Sequence, residues 1–192
     1  ECWYQMLGEI SDTITHASDL LQNNNGWKYN IYVGGERIYA DLSYEYAKYW
    51  IISPSFDLGN GDTTYQLSAD VFRTSLNGTG VAPMPNGDKF AILVSTDDGL
   101  TWNTANALIF GSGETSNYDY NLSAFSPEAS RVNFKLADEN DQPLTGIVRF
   151  AFYGEGSTSS MLVDNIEISQ WQPCQTPTMV HVANITPNSA EL

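Results

Sequence analysis

Short runs of alternating apolar and polar residues recur along the chain, and this pattern predicts β-strands. In "TTYQLSADVF", residues 63–72, the apolar side chains of Tyr65, Leu67 and Val71 share one face, because side chains two residues apart point the same way. Comparable runs are "WKYNIYV", "YWIISPSFDL", "KFAILVST", "RVNFKLA", "GIVRFAFYG" and "SMLVDNIEISQW". Turn-forming Gly, Asn, Asp and Pro separate them. The pattern predicts an all-β fold, a two-sheet antiparallel sandwich of eight or more strands.

The same pattern predicts which residues form the core, and it indicates two segments that are not strands. The core is expected to contain Trp50, Ile52, Phe150, Phe152 and either Leu162 or Ile166. The segment "ISDTITHASDLLQ", residues 10–22, is a candidate helix, although its Ser, Thr and Asp content disfavours one. The stretch from Arg73 to Asp88 has no periodicity and predicts a long loop, either a binding loop or a surface insertion.

The octamer "STDDGLTW", Ser95 to Trp102, fits the Asp-box pattern of sialidase propellers. A propeller needs about 40–50 residues for each blade, and this pattern occurs once in 192 residues. We therefore interpret the octamer as a hairpin turn. Asp97 accepts hydrogen bonds from the turn, Gly99 tolerates a positive φ, and Trp102 folds back to bury its ring.

The net charge of the chain disfavours polyanionic partners. The net charge is −15 and the isoelectric point is about 4.1. An acidic chain of this kind is a poor ligand for nucleic acid or for an anionic membrane surface. No apolar run approaches the roughly 20 residues of a membrane span, so we expect no membrane insertion.

The two cysteines, Cys2 and Cys174, bracket most of the chain. They are expected to form a disulfide that joins the two ends of the sandwich, with two free thiols as the alternative. After residue 172 the sequence becomes Pro-rich and then strand-like. It resembles the opening of a fibronectin type III domain at Pro177, Val180, Val182, Ile185, Ser189, Ala190 and Leu192. We therefore predict a sandwich module over residues 1–172, and a linker with the first strand of a further domain over residues 173–192.

Four motifs occur in the order found in one family of secreted modules. They are "WIISPSFDL" (residues 50–58), "LVSTDDGLTW" (93–102), "VRFAF" (148–152) and "VDNIEI" (163–168). In this order the chain resembles the cleaved-adhesin and choice-of-anchor-J modules of secreted Bacteroidetes proteins, which are MAM-like jelly rolls. The resemblance implies a jelly-roll sandwich, a secreted or cell-surface location and other domains in the same chain. The Arg73–Asp88 insertion departs from the family pattern.

The resemblance also implies structural calcium (Ca²⁺). In such sandwiches the ion often joins an acidic residue near the first strand to the Asp near the last strand, and these places are held by Glu9 and Asp164. Carboxylate oxygens are suitable ligands, because Ca²⁺ takes six to eight oxygen atoms. The alternative for Asp164 is a carboxylate that caps a bend of its own strand.

Sugar binding needs aromatic faces beside hydrogen-bonding side chains. Residues 23–39 are the densest stretch of this kind, with candidate ligand-binding residues Trp27, Tyr29, Asn30, Tyr32, Glu36, Arg37 and Tyr39. Alternation places Trp27 and Tyr29 on the same face of a strand, and the alternative is that this face belongs to the core. Further candidate patches contain Tyr44, Tyr46 and Tyr49, and Tyr118 and Tyr120.

Catalysis is not expected. A jelly-roll glycosidase often carries two carboxylates on one strand in an E-x-D-x-x-E pattern, which this sequence lacks. The spacing of Glu36, Asp41 and Glu45 mixes the two faces of a strand. We therefore expect a non-catalytic module that binds a polysaccharide or glycoprotein glycan, within a secreted carbohydrate-active enzyme or adhesin. The alternative is a protein-binding or spacer module of a secreted adhesin or protease.

Overall fold

The chain forms short antiparallel strands joined by turns. The structure, a computed structural model, describes residues 2–32, 35–43, 47–75, 88–111, 131–157, 159–172, 183–186 and 189–191. The strands within these residues are β1 (Tyr4–Leu7), β2 (Ile14–His16), β3 (Leu21–Gln22), β4 (Trp27–Tyr32), β5 (Gly35–Leu42), β6 (Ala47–Ile52), β7 (Phe56–Asp57), β8 (Tyr65–Ser75), β9 (Lys89–Ser95), β10 (Thr101–Asn103), β11 (Ala107–Gly111), β12 (Arg131–Leu136), β13 (Ile147–Gly156), β14 (Ser159–Gln170), β15 (Ala183–Thr186) and β16 (Ser189–Glu191). Two short 3₁₀ turns cover Ala17–Asp19 and Thr104–Asn106.

Two large sheets pack face to face. The seven-stranded sheet has the order β11-β9-β13-β6-β1-β3, with β7 paired to β13. The five-stranded sheet has the order β12-β8-β14-β5-β4. All pairings within them are antiparallel. The predicted all-β jelly-roll sandwich is confirmed.

The main core lies between the two sheets. Phe150 and Phe152 of β13 face the apolar side chains of the five-stranded sheet, among them Leu67 and Val71 of β8. The odd-numbered residues of β13, such as Tyr153, point to the opposite face, as the period of two along a strand requires.

A second core covers the outer face of the seven-stranded sheet. Trp50, Ile52 and Trp102 are buried there beneath the segment that contains Ile10 and Leu20. Both faces of β9 and β13 are therefore buried, which explains why "FAILV" and "RFAFY" are continuous apolar runs. The expected core residues Trp50, Ile52, Phe150, Phe152 and Leu162 are all buried.

The candidate helix over residues 10–22 is replaced by strands and one 3₁₀ turn. Thr15 of β2 pairs with Trp102 of β10 and closes a small two-stranded sheet over the second core. The side chains of Ser11 and Thr15 accept hydrogen bonds from nearby backbone N–H groups: Thr15 Oγ1 from Ser11 N at 2.8 Å, and Ser11 Oγ from Thr13 N at 3.2 Å. Such local bonds compete with helix formation, and the pairing with β10 decides the outcome.

The end of the sandwich where β8 finishes contains a buried ion pair. Arg73 Nη2 lies 3.0 Å from Asp88 Oδ2, and the Ser159 hydroxyl lies 3.3 Å from the same oxygen. These two charged residues flank the predicted long loop, whose residues 76–87 lie outside the described part of the chain. Strands β15 and β16 pair with each other, and residues 173–182 of the predicted linker also lie outside it.

Candidate functional site

Trp27 belongs to the core and offers no face to a ligand. Its exposed fraction is 2%, and its ring packs in the main core. The backbone around it is fixed by the Gln5 side chain, because Gln5 Nε2 donates to Trp27 O and Gln5 Oε1 accepts from Trp27 N, both at 2.8 Å. This arrangement matches the alternative in which one face of the strand is core.

The remaining residues of the predicted stretch are divided between two faces. Tyr29 is 68% exposed and lies on the Trp27 side of β4. Arg37 and Tyr39 lie on the opposite side, the outer face of the five-stranded sheet, because the alternating residues Ile38 and Ala40 face the main core. Asn30, Tyr32 and Glu36 lie in the β4–β5 hairpin, but their side chains are outside the described part of the structure.

The aromatic rings on this outer face are buried and lie close to cations. Tyr39 forms a small cluster with Phe72 and Leu162, which occupy the same row across the strands. The Arg37 guanidinium lies 4.3 Å from the Phe72 ring centre, and Lys28 Nζ lies 5.9 Å from that of Tyr39. A sugar does not reach these ring faces in this arrangement.

Glu9 and Asp164 do not come together, so this pair does not fit a shared calcium site. Glu9 pairs with Lys48 at 2.8 Å on the outer side of the seven-stranded sheet, where the Lys48 contact lowers its pKa. Asp164 lies on the outer face of the other sheet, 3.6 Å from Arg37 Nε. Asp164 Oδ1 also accepts from Asn165 N, where β14 shifts register, so the carboxylate caps a bend of its strand.

Calcium itself stays a prediction. Among the described residues, no group of three or more His, Cys, Asp and Glu side chains is arranged to hold a metal ion. The disulfide also stays a prediction, because Cys2 is exposed and Cys174 lies outside the described part of the chain. Of the two further tyrosine patches, only Tyr49 is described, and it packs partly buried against the main core.

A pocket opens between the two sheets at the end opposite the Arg73–Asp88 pair. Its volume is about 660 Å³, within the usual range of about 300–1,000 Å³ for small-ligand sites. We call it the end pocket, and the described residues that line it are Trp3, Ile38, Ser53, Phe56, Asp57, Leu58, Tyr65, Leu67, Phe150, Ile166 and Ile168. It lies where β6 ends and β8 begins.

Two aromatic rings stand at the mouth of the end pocket. Trp3 is 37% exposed and Phe56 is 38% exposed, so each presents part of its ring to solvent. Trp3 stacks on Phe152 with 6.2 Å between ring centres, and Phe56 packs on Phe150 at 5.6 Å. These core contacts hold both rings in place, and Tyr65 adds a third, half-buried ring.

The polar groups of the end pocket are few and lie near its mouth. Asp57 is exposed and its Oδ1 accepts from Gly59 N at 2.8 Å, which leaves Oδ2 without a donor among the described residues. The Tyr65 hydroxyl also makes no hydrogen bond to the described part of the chain. Deeper in the pocket, Leu58, Leu67 and Phe150 are buried. The end pocket therefore has aromatic rings and two polar groups at its mouth and apolar side chains at its floor.

Trp3, Phe56 and Tyr65 were not among the predicted site residues. Phe56 lies inside the "WIISPSFDL" motif, where the break at Pro54 signals only that the strand before it ends. Trp3 stands before the first strand, and nothing in its local pattern indicates a site. The three rings meet only because the two sheets bring distant segments together.

Comparisons with known proteins show similarity in fold alone. No family model matches the chain, and no curated protein matches it significantly. The carbohydrate-binding module TmCBM61, solved with β-1,4-galactotriose, is 13% identical with a TM-score of 0.43, over 88% of each chain. The K1 cleaved adhesin domain of Lys-gingipain from Porphyromonas gingivalis W83 is 15% identical with a TM-score of 0.42, over 88% of this chain and 98% of that one.

A third solved structure is the tailspike protein 4 of bacteriophage CBA120, 10% identical with a TM-score of 0.44 over 88% of this chain and 19% of that one. Likeness at these levels carries no argument about what this chain binds, and membership of the cleaved-adhesin family stays a prediction. Within the described residues, no helix has the length and apolar character needed to cross a membrane.

Proposed function

We propose that this chain is a non-catalytic module that binds a glycan in the end pocket. The observation that carries the proposal is the pair of half-exposed rings, Trp3 and Phe56, at the mouth of a pocket of about 660 Å³. A sugar presents flat C–H surfaces that pack on aromatic rings, and these rings are held by the core, so little side-chain entropy is lost on binding.

The mouth of the pocket also suits the hydroxyl groups of a sugar. Asp57 Oδ2 accepts from a hydroxyl, and the Tyr65 hydroxyl donates or accepts. The net charge of −15 favours a neutral or weakly charged glycan over a sulfated one. Arg37 and Lys28 do not alter this preference, because each already lies beside a carboxylate, Asp164 and Asp41 respectively.

The remaining parts of the proposal concern chemistry and context. Hydrolysis of a glycosidic bond uses two carboxyl groups on either side of it, and the described lining of the end pocket contributes one, Asp57. We therefore propose binding without cleavage. The resemblance of the four sequence motifs to secreted modules supports a place in a secreted or cell-surface protein with further domains. A protein-binding or spacer module remains the alternative.

A glycan array, followed by titration of each hit, tests the proposal. We expect dissociation constants from micromolar to millimolar, because a shallow mouth leaves part of the sugar in water. Trp3→Leu and Phe56→Leu keep an apolar side chain but remove the ring, and each should weaken binding about 10-fold or more without changing the fold. Tyr4→Leu is the matched control, since it removes a ring of the same 37% exposure as Trp3 that lies over Arg149 on the opposite face of the sheet.

Two results contradict the proposal. Binding that survives both ring variants places the glycan elsewhere, and a chain that binds no glycan on the array supports the protein-binding or spacer alternative. Release of reducing sugar by the purified chain would contradict the non-catalytic part. The screen is run in Ca²⁺ and again in EDTA, so that a calcium requirement is detected independently of Glu9 and Asp164.

A further inference from the structure

Among the described residues that line the end pocket, those of its floor offer almost no side-chain group that can form a hydrogen bond. Leu58, Leu67 and Phe150 are buried there, and their side chains are wholly apolar. The one buried hydroxyl of the described lining, that of Ser53, is already used twice, because Oγ donates to Pro54 O at 2.7 Å and accepts from Phe150 N at 2.9 Å. The half-buried walls, Ile38, Ile166 and Ile168, are aliphatic.

A polar substituent that packs against these aliphatic walls loses its water without gaining a hydrogen-bond partner there. Burying a hydroxyl without a hydrogen bond is unfavourable, whereas burying a methyl group is favourable. The polar groups of the described lining, Asp57 and Tyr65, lie near the mouth, so the hydroxyls of a bound sugar are best placed outward. The sugar that fits the end pocket has one apolar end and a hydroxylated remainder.

We propose that the end pocket recognises a 6-deoxyhexose, with its C5 methyl group directed at the half-buried aliphatic wall formed by Ile38, Ile166 and Ile168. This inference rests on the proposed function and names the class of sugar. A hexose with an ordinary CH₂OH group places a hydroxyl against this apolar wall. An acetyl or N-acetyl group brings a carbonyl or amide that also lacks a partner there, so the methyl group is the better match. A 6-deoxyhexose is neutral, as the acidic surface favours.

The experiment compares sugars that differ by a single hydroxyl. Methyl α-L-fucoside is paired with methyl α-L-galactoside, and methyl α-L-rhamnoside with methyl α-L-mannoside. Within each pair only the substituent at C6 changes. Titrations followed by NMR chemical shifts give the dissociation constants of both sugars in a pair. In at least one pair, the 6-deoxy sugar should bind more tightly than its hydroxylated counterpart by about 10-fold or more.

Two variants locate the preference. Ile168→Thr places a hydroxyl on the pocket wall at a half-buried strand position, and it should reduce the ratio between the two dissociation constants of a pair. Leu100→Thr makes the same change of polarity on the exposed hairpin and should leave the ratio as it is. Melting curves of both variants confirm that they are folded.

Failure of this inference can be distinguished from failure of the proposed function. Equal binding within both pairs, or tighter binding of the hydroxylated sugars, overturns the inference. Undetectable binding of both 6-deoxy sugars at millimolar concentration, while other glycans bind in a manner that Trp3→Leu or Phe56→Leu weakens, overturns it too and leaves the proposed function standing. A chain that binds no glycan at all overturns both.

Discussion

The side chain of Asp97 organises the hairpin between β9 and β10. Its carboxylate accepts from the Ser95 hydroxyl at 2.6 Å, from Thr101 N at 2.9 Å and from the Thr101 hydroxyl at 2.6 Å. The chain can then reverse through Asp98 and Gly99, whose φ angles are 60° and 88°. Trp102 follows directly and is buried against Trp50, with 6.0 Å between the ring centres. The octamer is therefore a structural turn, as its sequence predicts.

Replacing Asp97 with Ala should destabilise the fold. Three hydrogen bonds to a charged group are lost, and we expect the free energy of unfolding at pH 7 to fall by about 1–3 kcal/mol. Urea unfolding of Asp97→Ala measures the loss, and Thr96→Ala is the control, because Thr96 is exposed beside it. A loss no larger than in the control would show that the carboxylate does not hold the turn.

The same carboxylate predicts a dependence on pH. Burial raises the pKa of Asp97, but the hydrogen bonds from Ser95, Thr101 and Leu100 outweigh burial and bring the pKa below its usual value. A lowered pKa means that the stabilisation is present above the unfolded-state value of about 3.9 and is lost as the pH falls through the folded-state value. The difference in stability between wild type and Asp97→Ala should therefore shrink at acid pH. A difference that is constant from pH 7 to pH 3 would contradict this.

At the scale of the elements, alternation predicts which face a residue takes but not what covers that face. Trp27 and Tyr29 were expected on the same face of β4, and they are. Trp27 lies at the start of the strand, where Gly154 of β13 leaves room for its ring. Tyr29 lies two residues further on and is exposed. The alternation along the strand determines which face a side chain takes. Whether that side chain is buried depends on the position of the opposing sheet, which is set by tertiary packing.

These two residues give a paired prediction. Trp27→Ala should reduce the free energy of unfolding by about 3–5 kcal/mol, because it leaves a large cavity between the sheets. Tyr29→Ala should change it by no more than about 0.5 kcal/mol, as is usual for a surface substitution. Denaturant unfolding followed by tryptophan fluorescence and circular dichroism checks both. Similar losses in the two variants would mean that the ring of Trp27 is not part of the core.

At the scale of the whole molecule, sequence reasoning predicted the sandwich but did not find the end pocket. The sandwich can be predicted from local sequence, since period-two alternation indicates each strand and turn-forming residues indicate where it ends. The end pocket is assembled from segments as distant as Trp3, Phe56 and Ile168. A contiguous stretch such as residues 23–39 is conspicuous in sequence, but folding divides it between a core and an outer face. Glu9 and Asp164 are separated for the same reason, on opposite sides of the sandwich.

The predicted bond between Cys2 and Cys174 concerns the whole chain, and the structure describes residues close to each cysteine in sequence. Cys2 precedes Trp3, which lines the end pocket. Cys174 follows Trp171 by three residues, and Trp171 N donates to Thr64 O at 2.8 Å, next to Tyr65 of the same pocket. Trp3 and Trp171 therefore lie at the same end of the sandwich, one beside each sheet, which supports the predicted bond.

We expect the oxidised chain to contain this bond, detected as a cross-linked peptide after proteolysis without reductant. Reduction should lower the free energy of unfolding by up to about 4–5 kcal/mol, because a very long loop of the unfolded chain is then released. Cys2→Ser should have a similar melting temperature to the reduced wild type and should not respond to reductant. The oxidised wild type should melt higher than both. Two free thiols in protein prepared under oxidising conditions, or a melting temperature that reductant leaves unchanged, would show that the ends of the sandwich are held by packing alone.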